Sequence, residues 1–413
     1  MSVAQERAKP VARSVADARG AITAPDGFRA ASVAAGIKPE GADLALLAAD
    51  RECAAAAVFT LNRAPAAPVI VSREHVTAGR ARAVVINAGC ANAATGEGGL
   101  ADAREMAAVT AKALGCRPSD VVVASTGVIG TRLPMDKVRA GIAAAAARLD
   151  RDGGADAARA ILTTDTRPKE ARVTFPVGGR TVNIGAMAKG AGMIAPNMAT
   201  MLAFFTTDAA VEARLLGAAL REAVGESLNR VTVDGDTSTN DMALLMASGA
   251  GSAPLIKEPG RDYDSFRAAL TETARRIAEM IVRDGEGATR MAEVRVEGAR
   301  DAADADRVAR VVAESPLVKT ALHGGDPNWG RILAAAGRAG IAFDVGSVDI
   351  FLGDVWVCER GSAREYSEAA AHRAMLEDPV RIRVRLGAGP AAGWMWTSDF
   401  SRGYVDINAH YRS

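Results

Sequence analysis

The run 189–208, KGAGMIAPNMATMLAFFTTD, constrains this chain more than any other stretch. It opens as a Gly-rich loop with one lysine and tightens at Pro196 and Asn197. At Ala199-Thr200 it passes straight into an apolar segment, 201–205, closed by Thr206, Thr207 and Asp208. An apolar run of that length between turn-type residues predicts a buried strand. A threonine at the mouth of such a strand has the setting of an activated nucleophile. If the Ala199–Thr200 bond is cut, Thr200 becomes N-terminal. Its α-amine, with a reference pKa of about 7.7–8.0, can then act as base for its own hydroxyl. Threonine is equally at home in ordinary strands, and Gly-rich loops are common, so Ala199-Thr200 alone decides nothing.

Length allows two or three domains or one large layered core, at 413 residues. Lysine plus arginine (50) balances aspartate plus glutamate (49), and aromatics are 4%. There is no basic surplus for nucleic acid and there are few rings for base stacking. Cys53, Cys90, Cys116 and Cys358 form no CxxC pair, and the histidines are scattered, so no metal site is expected. Buried free thiols fit a reducing compartment. The start, MSVAQERAKPVARS, lacks the apolar centre of a secretory signal. No run of about 18 apolar residues offers a membrane span. The expectation is a cytoplasmic protein that binds neither membrane nor nucleic acid.

Along the chain, 1–20 reads as a loose arm. Strands are predicted at 54–60, 84–86, 121–123, 293–297 and 380–386, the last with apolar residues alternating with three arginines. Gly178-Gly179 predicts a hairpin between 173–176 and 181–184. Helices are predicted over 101–114, 135–149, 211–228, 263–282 and 304–314. The end, 396–413, reads as a strand with a short tail. Strands and helices mix without a steady βαβ repeat, so the fold class is α+β, layered sheets covered by helices.

Several short motifs carry chemistry. A strand that stops at Ser125-Thr126-Gly127 leaves N–H groups and a hydroxyl free, which suits an oxyanion or a plain turn. The hydroxyls of TTDT, 163–166, suit a capped turn. In DGEGAT, 284–289, a glutamate between two glycines is either a tight turn or a carboxylate held towards a cation. VTVDGDTSTND, 231–241, is rich in small acceptors, but Thr239 and Leu245 stand where an EF-hand needs glycine and glutamate. It reads instead as a polar loop near the site. There is no P-loop, GxGxxG or GxSxG.

Taken together, KGAGMIAPNMATML, STGVIG (125–130), DGEGAT, DPNWGRI (326–332) and the C-terminal WTSD…INAxYR resemble the glutamate/ornithine N-acetyltransferase family, from Pro25 to Ser413. The resemblance implies a self-processing, N-terminal-nucleophile-like architecture. The precursor would cut itself between Ala199 and Thr200. The products would be an α chain, 1–199, with the oxyanion and substrate loops, and a β chain, 200–413, that starts with the nucleophile. It implies that Thr126 and Gly127 form the oxyanion hole. Thr163, Lys189, Thr200, Glu286, Asn408 and Ser413 would bind substrate. Charge complementarity gives Lys189 a substrate carboxylate and Glu286 an ammonium.

The implied reaction moves acetyl from N-acetylornithine to glutamate in arginine biosynthesis, without a cofactor, with acetyl-CoA as an alternative donor. The implied assembly is a heterotetramer of two α and two β chains. Two positions depart from the family pattern. The loop 87–92 reads NAGCAN, with Cys90 where asparagine is usual, and Ser413 replaces threonine but keeps the hydroxyl. DPNWGRI is assigned to structure, a fixed turn packed by Trp329. Two competing classes make different demands. A self-cleaving amidohydrolase would pass its acyl group to water, and a non-catalytic relative would stay uncut.

Overall fold

The computed structural model of the chain describes residues 12–15, 18–195 and 201–410. Among them two sheets form, one of nine strands and one of seven. The first runs in the order Arg13–Ser14, Lys169–Val177, Arg180–Lys189, Leu202–Thr207, Met242–Ala247, Leu44–Phe59, Arg80–Cys90, Val121–Val128, with Phe28–Val33 paired to Leu44–Phe59 off this path. Leu202–Thr207 is antiparallel to Arg180–Lys189 and parallel to Met242–Ala247. Met242–Ala247 is in turn antiparallel to Leu44–Phe59. The two strands that follow residue 200 therefore lie between strands that precede it.

The apolar run after Thr200 is buried on both faces, as a continuous rather than alternating pattern requires. Met201, Ala203 and Phe205 pack on one side with Leu216, Leu220, Phe266 and Ile277. Those partners come from helices Ala213–Gly225 and Arg261–Arg283. Leu202 and Phe204 pack on the other side with Ile22, Ala157 and Ala158. Helix Arg261–Arg283 supplies a single stripe, with Phe266, Leu270, Ala274, Ile277 and Ile281 all buried. Helices Ala67–Val76, Gly96–Leu114 and Met135–Ala146 share a further core with Leu44, Leu46, Val85 and Val123.

The second sheet runs Ser362–Ala363, Val355–Glu359, Asp349–Leu352, Val380–Arg385, Met291–Ala299, Ala391–Ser398, Val231–Thr232. It alternates as predicted. Val380, Ile382 and Val384 are buried in a core with Val308 and Val312 of helix Ala302–Ala313, while Arg381 and Arg385 are exposed. On the arginine face, Arg383 lies over the Phe351 ring at 4.0 Å and Arg364 over Trp356 at 4.1 Å.

The architecture is α+β with sheets layered by helices, as expected. Three local expectations change. The strand predicted at 54–60 is the end of a 16-residue strand, Leu44–Phe59, whose exposed charged middle, Asp50, Arg51 and Glu52, interrupts the apolar pattern. Arg13–Ser14, expected in a loose arm, pairs with Val173 and Thr174. The expected C-terminal strand is Ala391–Ser398, and the segment after it is a helix, Arg402–His410. Cys53, Cys90 and Cys358 are buried free thiols, and Cys116 is half-buried and free. No helix among the described residues is long and apolar enough to cross a membrane.

Candidate active site

A cavity of about 80 Å³ collects the motif residues. Thr126 and Gly127 line it from the end of one strand, Thr163 and Thr164 from a turn, and Lys189 from the end of another strand. Gly192 and Met193 come from the loop after Lys189, Glu286 from the turn after the long helix, and Asn408 from the C-terminal helix. A larger cavity, about 580 Å³ between Phe59, Leu61, Arg73 and Arg221, holds none of the motifs. Ala199, Thr200 and Ser413 lie outside the described residues. Met201, next in sequence after Thr200, donates its N–H to Asp241 Oδ1 at 3.0 Å.

The Thr126-Gly127 corner of the cavity is built by an irregular strand pairing. Val121–Val128 runs parallel to Arg80–Cys90 until the register shifts at Gly89 and Cys90. Gly127 has φ +129°, and a Cβ there would lie 2.3 Å from the Gly89 carbonyl carbon. Only glycine fits this position. Ser125 Oγ donates to Asn87 Oδ1 at 2.6 Å, and Asn87 Nδ2 donates to the Cys90 carbonyl at 2.9 Å. Asn240 clamps both sides of this corner: its Nδ2 donates to the Ala91 and Ser125 carbonyls at 2.7 and 2.8 Å. The Cys90 thiol is buried, donates to the Thr131 carbonyl at 3.1 Å and is absent from the cavity wall. Burial pushes that thiol's pKa up. The departure at 90 thus falls on packing behind the corner.

Lys189, also in the cavity wall, is almost fully buried. Its Nζ lies 3.7 Å from Asp165 Oδ2. The Asp165 side chain is completely buried and accepts from Gly190 N–H at 2.6 Å and Thr163 N–H at 3.2 Å. Burial alone would raise its pKa, but the ammoniums of Lys189 and Lys169 and the Gly190 N–H hold it well below the usual carboxylate range. Glu286 faces Lys189's loop. Its N–H donates to the Ala191 carbonyl at 2.9 Å, and Asn408 Nδ2 donates to its Oε2 at 2.8 Å. A Cβ on Gly192 would lie 2.3 Å from the Glu286 carboxyl carbon, so glycine there lets the carboxylate reach the loop.

The loop itself is held by Asp234, which accepts from Met193 N–H at 2.5 Å and Ile194 N–H at 2.8 Å. Burial pushes Asp234 up to about 6, against the pull of those N–H groups. Burial also raises Asp241 well above its ordinary value, against the Met201 N–H. Thr289, at the end of DGEGAT, is fixed by Asp399, which accepts from its N–H at 2.7 Å and its hydroxyl at 2.6 Å. The DPNWGRI segment lines no part of the cavity. Asn328 caps helix Trp329–Gly337 by accepting from Arg331 N–H, the structural part expected of it.

The structure thus gathers Thr126, Gly127, Thr163, Lys189, Glu286 and Asn408 in one place. It adds Ser238, Thr239 and Asn240 from the polar loop, which the sequence marked only as near the site. It also adds the supporting acids Asp165, Asp234 and Asp241. These acids are visible in the motifs, but their partners are remote in sequence. A small cavity that brings hydroxyl and backbone donors together with a buried lysine and a carboxylate belongs to an enzyme of small-molecule acyl transfer.

The comparisons make that class specific. The profile of the ArgJ family matches residues 29–413. The arginine biosynthesis bifunctional protein ArgJ of Symbiobacterium thermophilum is 53% identical over 397 residues, covering 95% of this chain and 99% of the relative. The same-named protein of Methylococcus capsulatus is 48% identical over 409 residues, covering 98% and 100%. Among solved structures, the Bacillus halodurans arginine biosynthesis bifunctional protein argJ matches with TM-score 0.50 and 42% identity, over 51% of this chain and 100% of the solved one. The chain belongs to the ArgJ family.

Proposed function

We propose that Thr200 is both the self-cleavage residue and the catalytic nucleophile of this acetyltransferase. The enzyme moves the acetyl group of N2-acetyl-L-ornithine to L-glutamate in arginine biosynthesis. In maturation, Thr200 Oγ attacks the Ala199 carbonyl, the peptide C–N bond gives way to an ester, and water hydrolyses it. The products are the α chain, 1–199, and the β chain, 200–413. The solved Bacillus chain, complete over about half of this sequence, supports a processed half of that size.

In catalysis the freed α-amine takes the hydroxyl proton as Oγ attacks the acetyl carbonyl. Thr126 and Gly127 donate to the oxyanion, and Lys189 holds the substrate carboxylate. Glu286, braced by Asn408, holds the ornithine ammonium, with Thr163 and Ser413 completing the substrate contacts. The proton passes to the departing ornithine amine, and glutamate then attacks the acetyl-Thr200 ester to give N-acetylglutamate. No cofactor takes part, and acetyl-CoA serves as an alternative acetyl donor. The processed chains assemble as two α and two β, in the cytoplasm.

One observation carries this reading: six motif residues from five separate segments meet at one cavity beside the strand that begins after Thr200. The test is an intact-mass spectrum of wild type and Thr200→Ala, followed by acetylornithine–glutamate assays. Two fragments meeting at 199/200 and full activity are expected of wild type, and an uncut, inactive chain of the variant. An uncut but active wild type would remove the α-amine from the mechanism.

A further inference from the structure

Lys189 and Glu286 share one support that lies behind the cavity wall. Lys169 is fully buried and does not line the cavity. Its Nζ reaches Asp165 Oδ1 at 2.6 Å and Asp284 Oδ2 at 2.5 Å. Asp165 also receives the N–H groups of Thr163 and Gly190 and stands 3.7 Å from Lys189 Nζ. Asp284 accepts from Thr166 N–H at 3.1 Å and from its hydroxyl, and it precedes Glu286 by two residues. One buried ammonium thus joins the turn 163–166, the Lys189 loop and the Glu286 turn.

The charges decide what this arrangement does. Two buried carboxylates need cations, because removing one partner of a buried pair leaves a costly uncompensated charge. Asp165 has two lysines at unequal distance. Lys169 is the close partner, so Lys189 keeps attraction for a charge in the cavity. We infer that Lys169 is a positioning residue for acetyl transfer: by neutralising Asp165 and Asp284 it leaves Lys189 free for a substrate carboxylate and keeps it in register with Glu286. This rests on the reading of Lys189 as the carboxylate holder. Without Lys169, Lys189 is the one lysine left within ion-pair distance of Asp165 among the described residues, and it is drawn back from the cavity.

Lys169→Met alone leaves Asp165 to Lys189 at 3.7 Å and Asp284 to Arg167 at 3.8 Å, and threatens folding. Lys169→Met with Asp284→Asn removes one charge of each sign and keeps the cluster's net charge unchanged. This double variant and Lys189→Met are prepared as mature enzyme, with cleavage checked by mass. KM is then measured for acetylornithine and glutamate, beside the rate with p-nitrophenyl acetate, an acetyl donor without a carboxylate. In both variants KM for the amino-acid substrates is expected to rise about tenfold or more, and in the double variant the ester rate stays within about twofold of wild type.

A raised KM in Lys189→Met with an unchanged KM in the double variant overturns the role of Lys169. So does a parallel fall of ester and amino-acid turnover, or a double variant that fails to mature while Lys189→Met matures. An unchanged KM in Lys189→Met overturns the carboxylate reading of Lys189 and this inference with it.

Discussion

The two sheets of this enzyme spend their surfaces differently. Every residue of Leu202–Thr207 and of Met242–Ala247 is buried, so the first sheet is covered on both faces. In Val380–Arg385 of the second sheet, burial alternates with exposure, and arginines lie over Phe351 and its neighbours. The difference locates the chemistry. Groups that must keep fixed distances, such as Gly127 and Lys189, sit at strand ends of the doubly covered sheet. The second sheet lends two arms, the Glu286 turn before one strand and the Asn408 helix after another. The doubly covered strands fix one part of the cavity wall, and the sheet with an open face brings Glu286 and Asn408 to it.

The sharpest way to break this comparison is by truncation. Phe204→Ala, in the middle of the covered sheet, should cost about 3–5 kcal/mol in denaturant unfolding. A loss under about 1 kcal/mol would remove the contrast. Next comes Thr126→Ala, which should raise the acetyl-transfer barrier by about 2.7–4 kcal/mol through kcat while leaving the unfolding midpoint near wild type. Equal loss of stability would make Thr126 a packing residue.

Asp234 tests the join between the regions, since it follows Val231–Thr232 of the second sheet and holds the Lys189 loop of the first. Its folded pKa, about 6, lies above the unfolded value. Its contribution is therefore fully present below about pH 4 and is lost as pH rises through 6, by about 2–3 kcal/mol. Asp234→Asn should flatten that segment of the stability-against-pH curve, and an unchanged curve would exclude it as the titrating group. Smallest of all, Arg385→Ala on the open face should shift stability by about 0.5 kcal/mol or less. A larger loss would mean that the arginine face is structural after all.

Much of this was legible in the sequence, for physical reasons that differ by element. The strand after Thr200 and the strand 380–385 announce themselves, one as an unbroken apolar run and one by alternation. Leu44–Phe59 is hidden because exposed Asp50, Arg51 and Glu52 at its centre split it into two apolar runs, and a strand pattern reads each run separately. The C-terminal helix was misread because its buried set is empty: Arg402–His410 shows no apolar stripe to betray a helical period. At the site, motifs brought six cavity residues into view, whereas Asp234 with Met193, or Lys169 with Asp284, pair across 41 and 115 positions. No local pattern encodes such a pairing. Only the strand order brings those residues together.

That strand order has one more consequence. The proposed cut between Ala199 and Thr200 would separate two polypeptides whose seam runs through the centre of the larger sheet. Leu202–Thr207 and Met242–Ala247, from the later piece, are gripped on one side by Arg180–Lys189 and on the other by Leu44–Phe59, both from the earlier piece. Neither fragment can leave without stripping two ladders of backbone hydrogen bonds and opening the core on both faces. Such a break in covalent continuity would leave the sheet's ladders intact, and the two pieces would be expected to unfold as one unit.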